Sequence, residues 1–258
     1  MPSRLFHHYI GIDYSGAARA TTRNRSIQVF SCTPATEPQI VHSIATTRTK
    51  PRNWNRVEVL QWLVQFLKQH PSTIIGMDHG FSFPISYFEK YQLASWNDFL
   101  ADFSTHWPTD AKDATVEQFR RDGNRTGDSK ELRTTEKWTS SAKSVFLFDV
   151  QGSVAKSTHA GLPFLWKLRN QLPELHCWPF DGFEIPSGHS VIAEVYPSLF
   201  RNRYSKKHST VDQQDAYSVC RWLKEMDQQL GLDRFFHPPL DEAEKSIVQL
   251  EGWILGVN

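Results

Sequence analysis

Four stretches of the chain set a carboxylate among apolar neighbours. Asp13 follows Tyr-Ile-Gly-Ile, Asp78 follows Ile-Ile-Gly-Met, Glu194 lies within Val-Ile-Ala-Glu-Val-Tyr, and Asp212 and Asp215 open a helical stretch. An ionised carboxylate taken out of water is costly, and Asp and Glu are seldom buried without a partner. One such acid is ordinary. Several that converge need a common counter-charge, and a divalent cation supplies it. Hard oxygen ligands suit Mg2+, and the chain offers no clustered soft ligands to compete. The chemistry open to such a set is holding a metal or facing a phosphate.

Each acid also has a structural reading. Asp13 can simply end a strand, and Asp78 before His-Gly begins a turn well. Asp212 can be a helix N-cap with Asp215 in the first turn, both favoured by the helix dipole. Glu194 can be a lone core acid paired with an arginine or a backbone group.

The elements that must position these residues follow from periodicity. His7–Gly16 reads as a strand, and Arg25–Thr33 alternates as a strand with two dissimilar faces. Pro38–Thr47 reads as a third, giving an antiparallel meander. Asn53–Gln69 is helical, with Leu60, Leu63, Val64 and Leu67 in register, and Pro71 closes it. Ser72–Asp78 is a short, almost wholly apolar run of the type buried on both faces of a sheet. Trp96–Trp107 and Leu162–Leu172 read as helices, Ser190–Pro197 as a buried strand, and Asp212–Gln229 as the clearest late helix. Asp212, Asp215, Ala216, Val219 and Leu223 share one side of it. A last helix spans Leu240 to Leu250. Periodicity alone says mixed α/β.

Composition narrows the class. The chain has 258 residues, 39% hydrophobic and 22% charged, with a formal net charge of +1, so charge gives no global argument for nucleic acid. No apolar run is long enough to span a membrane, and the start lacks a signal-peptide core. Cys32, Cys177 and Cys220 are few, odd in number and far apart in sequence, which fits a reducing cytoplasm and excludes a CxxC zinc site or a disulfide framework.

Four segments together resemble a family of predicted RNase H-like nucleases, a domain-of-unknown-function group distantly similar to the Holliday-junction resolvase RuvC. They are "GIDYSGA", "IIGMDHGFSFP", "VIAEVYPSLF" and "VDQQDAYSVC", with the closing "EGWILGV" also similar. The resemblance implies a ribonuclease H-like fold: a mixed sheet with an antiparallel three-stranded meander plus parallel strands, flanked by helices. Residues 1–258 would form one domain, with 85–188 a helical and loop insertion that could act as a substrate flap. It also implies a divalent-metal-dependent nuclease using Mg2+ or Mn2+, with Asp13 bridging the metals, Asp78 holding one, Asp215 the other, and Asp212 assisting. Glu194 matches a motif acid of the catalytic set. Two cations about 4 Å apart would stabilise both the attacking and leaving oxygens and activate water. One departure is that RuvC-like enzymes often carry a histidine just before the helix aspartate. Gln213 and Gln214 stand there in this chain, and the nearest histidine is His208.

The insertion interleaves cations with Phe119, Trp138, Phe146 and Phe148, as a phosphate-contacting flap with stacking surfaces would. Candidate substrate contacts are Ser15, Arg121, Arg125, Arg133, Lys143 and Lys156. Asp122, Asp128, Glu131 and Glu136 nearly balance that charge, so a solvated loop is equally open. "GSVAKST" fails as a phosphate loop for want of its glycines, although a helix starting near Ser157 could present backbone N–H groups to an anion. Two other functions stand beside the nuclease: an actin- or sugar-kinase-like nucleotide-binding protein, and a catalytically idle nucleic-acid-binding protein of the same fold. The kinase type generally needs two such domains and an Asp-x-Gly-x-Gly-Thr loop, which the chain lacks.

Overall fold

A computed structural model describes residues 4–43, 52–123, 125–139, 141–206 and 208–258. It is an α/β protein with a mixed six-stranded sheet in the order β3-β2-β1-β4-β6-β5 and helices on both faces. The strands are β1 (His8–Asp13), β2 (Gln28–Cys32), β3 (Gln39–Val41), β4 (Thr73–Asp78), β5 (His176–Trp178) and β6 (Val191–Glu194). The first three form the expected antiparallel meander, and β1, β4, β6 and β5 run parallel. Of the third expected strand Gln39–Val41 pairs in the sheet and Ser43 forms an isolated antiparallel bridge with Arg52, while its residues 44–47 lie outside the described residues. The edge strand β5 falls in the stretch read as helix and loop. At three residues, it is too short to show alternation.

Pleating sorts the apolar residues into two cores. Ile10, Ile12, Ile75, Met77 and Ile192 pack on one face under α1 (Arg56–Gln69), α3 (Trp96–His106) and α6 (Ala155–Gln171). The short helices α2 (Ile85–Tyr91), α4 (Val116–Arg121) and α5 (Thr134–Trp138) belong to the connection between β4 and α6. Tyr9, Phe30, Ile74, Val191 and Ala193 pack on the other face under α7 (Val211–Gln228), α8 (Asp233–Phe236) and α9 (Glu242–Glu251). Strand β2 is thus buried on both faces. Trp54 and Trp96 are core, as most tryptophans of such a chain are.

The helix that carries two of the acids lies directly on β1. Gly11 and Gly76 are register partners in the middle of the sheet. A Cβ at Gly11 would stand 2.2 Å from the Ala216 carbonyl oxygen and 2.6 Å from the Cys220 amide nitrogen. A Cβ at Gly76 would stand 2.6 Å from Val219 Cγ1. The paired glycines therefore form a flat seat for α7. Below it, the Asp227 carboxylate accepts hydrogen bonds from Leu5 N (2.9 Å), Phe6 N (3.0 Å) and Tyr9 Oη (2.7 Å), fixing the helix along the strand. Cys32 and Cys220, remote in sequence, meet at 3.5 Å as free thiols across the same interface. Gly11→Ala is expected to destabilise by about 3 kcal/mol, the upper end of overpacking costs, because the obstacle is helix backbone. Urea unfolding checks this. A loss below about 1 kcal/mol would show that α7 can ride up without penalty.

Candidate functional site

Asp13 and Asp78 end β1 and β4 as direct register partners on strands that lie about 4.8 Å apart. Both are in phase with the glycine of their own strand, so both point to the α7 side. Asp215, on the buried stripe of α7, and Asp212, in its first turn, face them. The four acids line one cleft of about 820 Å³ with Ser15, Lys143, Ser157, Tyr196 and Arg201. Thr210, and not Asp212, caps α7, accepting from the Gln213 amide at 3.1 Å. The capping reading of Asp212 is therefore corrected, and its carboxylate is left to the cleft.

The electrostatics follow from this crowding. Burial, and then Asp78, Asp212 and Asp215, push the Asp13 carboxyl well above the usual range, with Arg201 opposing. Burial, Asp215 and Glu194 raise Asp78 to about 8, again against Arg201. Burial raises Asp215 too, partly offset by its hydrogen bond to Arg201. Arg201 reaches Asp215 with Nε and Nη2, each at 2.5 Å. Among the described residues, no protein donor is hydrogen-bonded to the carboxylates of Asp13, Asp78 or Asp212.

Oxygen-only donors of this kind fit Mg2+ or Mn2+ by type, and the undercompensated negative charge fits a cation. The positions are not those of a closed ligand set. Among the described residues, no three acidic, histidine or cysteine side chains stand close enough together to hold one ion. Arg201 occupies both oxygens of Asp215.

Glu194 does not join the cleft cluster. It lies at the end of β6 in register with Met77, one residue out of phase with Asp78, and points to the opposite face of the sheet. Its carboxylate accepts from Arg133 Nη2 (2.5 Å), Arg133 Nη1 (2.8 Å) and Phe81 N (3.0 Å). The arginine pairing anticipated as its structural reading is the one found. Glu194 is thereby a positioning residue: it anchors the chain three residues past Asp78.

The cations of the 85–188 stretch are mostly committed elsewhere. Arg133 is wholly buried, with Glu136 as a second partner at 3.0 Å, and cannot touch a substrate. Arg125 pairs with Asp102 (2.6 Å) and stacks on Tyr91, Lys156 pairs with Glu117 (2.5 Å), and Arg121 bonds the carbonyl of Glu117 at 3.2 Å. Arg133 is thereby corrected as a substrate contact, while Arg121, Arg125 and Lys156 hold these protein partners outside the lining of the acidic cleft. Lys143 does line the cleft, donating to the Gln151 carbonyl at 2.7 Å. Phe146 is core, while Trp138 packs edge-on against Trp253.

Sequence reasoning missed two residues. Arg201 follows β6 in a short 3-10 segment and gave no periodic signal. Arg56 is buried under the loop that follows Asp13 and donates to the carbonyls of Ser15 (3.3 Å), Ala17 (3.0 Å) and Ala18 (3.0 Å). That loop also presses on the first turn of α6, where a Cβ at Gly16 would stand 1.9 Å from the Lys156 carbonyl oxygen. His79 does not serve as a cation here. Burial lowers it to about 4, and its Nδ1 bonds the Gly80 carbonyl at 2.8 Å. His208 packs its ring against Phe30 and Tyr217. No helix among the described residues is long and apolar enough to cross a membrane.

Comparison with known proteins gives no match to a family model, to a curated protein or to a solved structure.

Proposed function

We propose that this chain is a divalent-cation-dependent phosphodiester hydrolase acting on nucleic acid, on a ribonuclease H-like fold. One observation carries the reading: Asp13 and Asp78 stand side by side at the carboxyl ends of β1 and β4, with no donor among the described residues, facing Asp212 and Asp215. A cluster of four acids with one neighbouring guanidinium is a poor structural device and a good cation receptor. The sheet order supports the fold reading, with a three-stranded meander joined to parallel strands and the acids at the ends of β1 and β4.

In this mechanism Asp13 and Asp78 would hold the cation, with Asp215 and Asp212 of α7 as the further acids of the cleft. When bound, Mg2+ or Mn2+ would lower the pKa of a water and neutralise charge building on the phosphate. Arg56 keeps the Ser15–Ala18 loop rigid, so that Asp13 does not drift as charge enters the cleft. Ser15 and Ser157 offer hydroxyls, and Lys143 a positive charge, to the sugar-phosphate chain. Arg133 and Glu194 hold the exit of β4 from the far face.

The kinase-like alternative requires a second such domain across the nucleotide, whereas the described residues build one six-stranded sheet. The test is incubation of the protein with labelled single-stranded, duplex and branched DNA and RNA in Mn2+. Cleavage is expected, and Asp13→Asn is expected to lose about a hundred- to a thousandfold, as removal of a charge-stabilising group does. Absence of cleavage by the wild type, or equal rates for the two proteins, eliminates the reading.

A further inference from the structure

Asp215 turns both carboxylate oxygens onto Arg201, at 2.5 Å each, so neither is turned to the other three acids of the cleft. The two partners are unequal. The Asp215 side chain is 6% exposed and held on a long helix, whereas that of Arg201 is 37% exposed and rises from a single 3-10 turn at the surface. The guanidinium can return to water at small cost, and the carboxylate cannot.

We propose that Arg201 is a displaceable counter-ion. It neutralises Asp215 in the metal-free protein, and once Asp215 exchanges it for a divalent cation it is released within the cleft to pair with a substrate phosphate. This rests on the hydrolase reading above. Arg201 lines the same cleft as Asp13, Asp78 and Asp212, so the released side chain stays where a phosphate would lie. A planar guanidinium matches two phosphate oxygens as well as it matches two carboxylate oxygens. Occupation of the acids by a cation and of Arg201 by phosphate would then favour each other, a coupling that is reciprocal by linkage.

Arg201→Gln keeps a neutral donor for Asp215 and so protects the fold, which circular dichroism checks. Manganese affinity is measured by electron paramagnetic resonance for the variant and the wild type. The variant is expected to bind Mn2+ at least tenfold more tightly, and to bind a single-stranded oligonucleotide in Ca2+ at least tenfold more weakly. Equal or weaker Mn2+ binding by the variant overturns the counter-ion role. Unchanged oligonucleotide affinity overturns the phosphate role. In the wild type the Nε–Hε resonance of Arg201, identified by its absence in the variant, is expected to move as Mg2+ is added, and a resonance fixed at saturation overturns the displacement. If neither protein binds Mn2+, the metal reading of the cleft falls and takes this inference with it. Binding that is equal in both leaves that reading standing and removes only the inference.

Discussion

At pH 8 the metal-free Asp78→Asn protein is expected to melt about 5–10 °C above the wild type and, under the proposed function, to be inactive on nucleic acid. Asp78 sits at the end of a buried strand with no donor among the described residues, and burial, Asp215 and Glu194 raise its carboxyl to about 8. In the unfolded chain the same group titrates near 3.9. Between about pH 4 and pH 8 the folded state therefore holds a proton that the unfolded state has released, so stability falls as pH rises through this window and levels off above it. Full conversion of that difference would give about 5 kcal/mol. Water reaching the cleft leaves ~2–3 kcal/mol for the asparagine to recover, at roughly 2–4 °C per kcal/mol in a chain of this size. Scanning calorimetry at pH 5 and pH 8 checks it, since the gain should shrink by more than half at the lower pH. Saturating Mg2+ at pH 8 should raise the wild type and leave the variant nearly unmoved, because only a ligand that binds the folded state stabilises it. A variant that melts at or below the wild type at pH 8 would mean that Asp78 is adequately compensated by the protein, and the case for a cation would collapse.

Arg133→Met should be the most damaging single substitution on the opposite face of the sheet, costing about 3–5 kcal/mol. Its guanidinium serves Glu194 twice, Glu136 once and the Glu251 carbonyl at 3.2 Å. Burial works to lower the arginine's pKa, and the charges of Glu194 and Glu136 more than reverse it. Removing the arginine leaves buried carboxylates with backbone donors alone. The double variant Arg133→Met/Glu194→Gln should recover at least 1 kcal/mol of the loss, because one of the two buried charges left without the guanidinium, that of Glu194, is then absent while Glu136 remains. Urea unfolding of the single and double variants distinguishes this from a packing defect, in which the second substitution would add damage.

The contrast between Glu194 and the aspartates shows where the sequence was legible and where it was not. Strand and helix positions followed from alternation and the 3.6 period, so β1, β4, β6 and α7 were readable along with the acids they carry. Strand phase held more than acid content did. Asp13 shares the parity of Tyr9 and Gly11, Asp78 that of Ile74 and Gly76, and α7 seats on those glycines. Glu194 shares the parity of Ile192, on the other core. That signal lay in the residues themselves, and weighing phase before chemistry would have set Glu194 apart. Arg201 and Arg133 offered no such handle. An arginine's reach and partner depend on loops whose path no periodicity describes, so a cation beside an acid in space can be remote from it along the chain.

The seat formed by Gly11 and Gly76 has a bearing on the order in which the molecule is made. Strands β1 and β4 leave the ribosome early, while the helix that covers them comes late, on the order of ten seconds afterwards at about 5–20 residues per second. Throughout that interval the glycine-floored face is bare, and two of the four cleft acids have not yet been synthesised. The four-acid cleft is therefore completed only by the docking of α7, which carries the last of its lining residues to be synthesised.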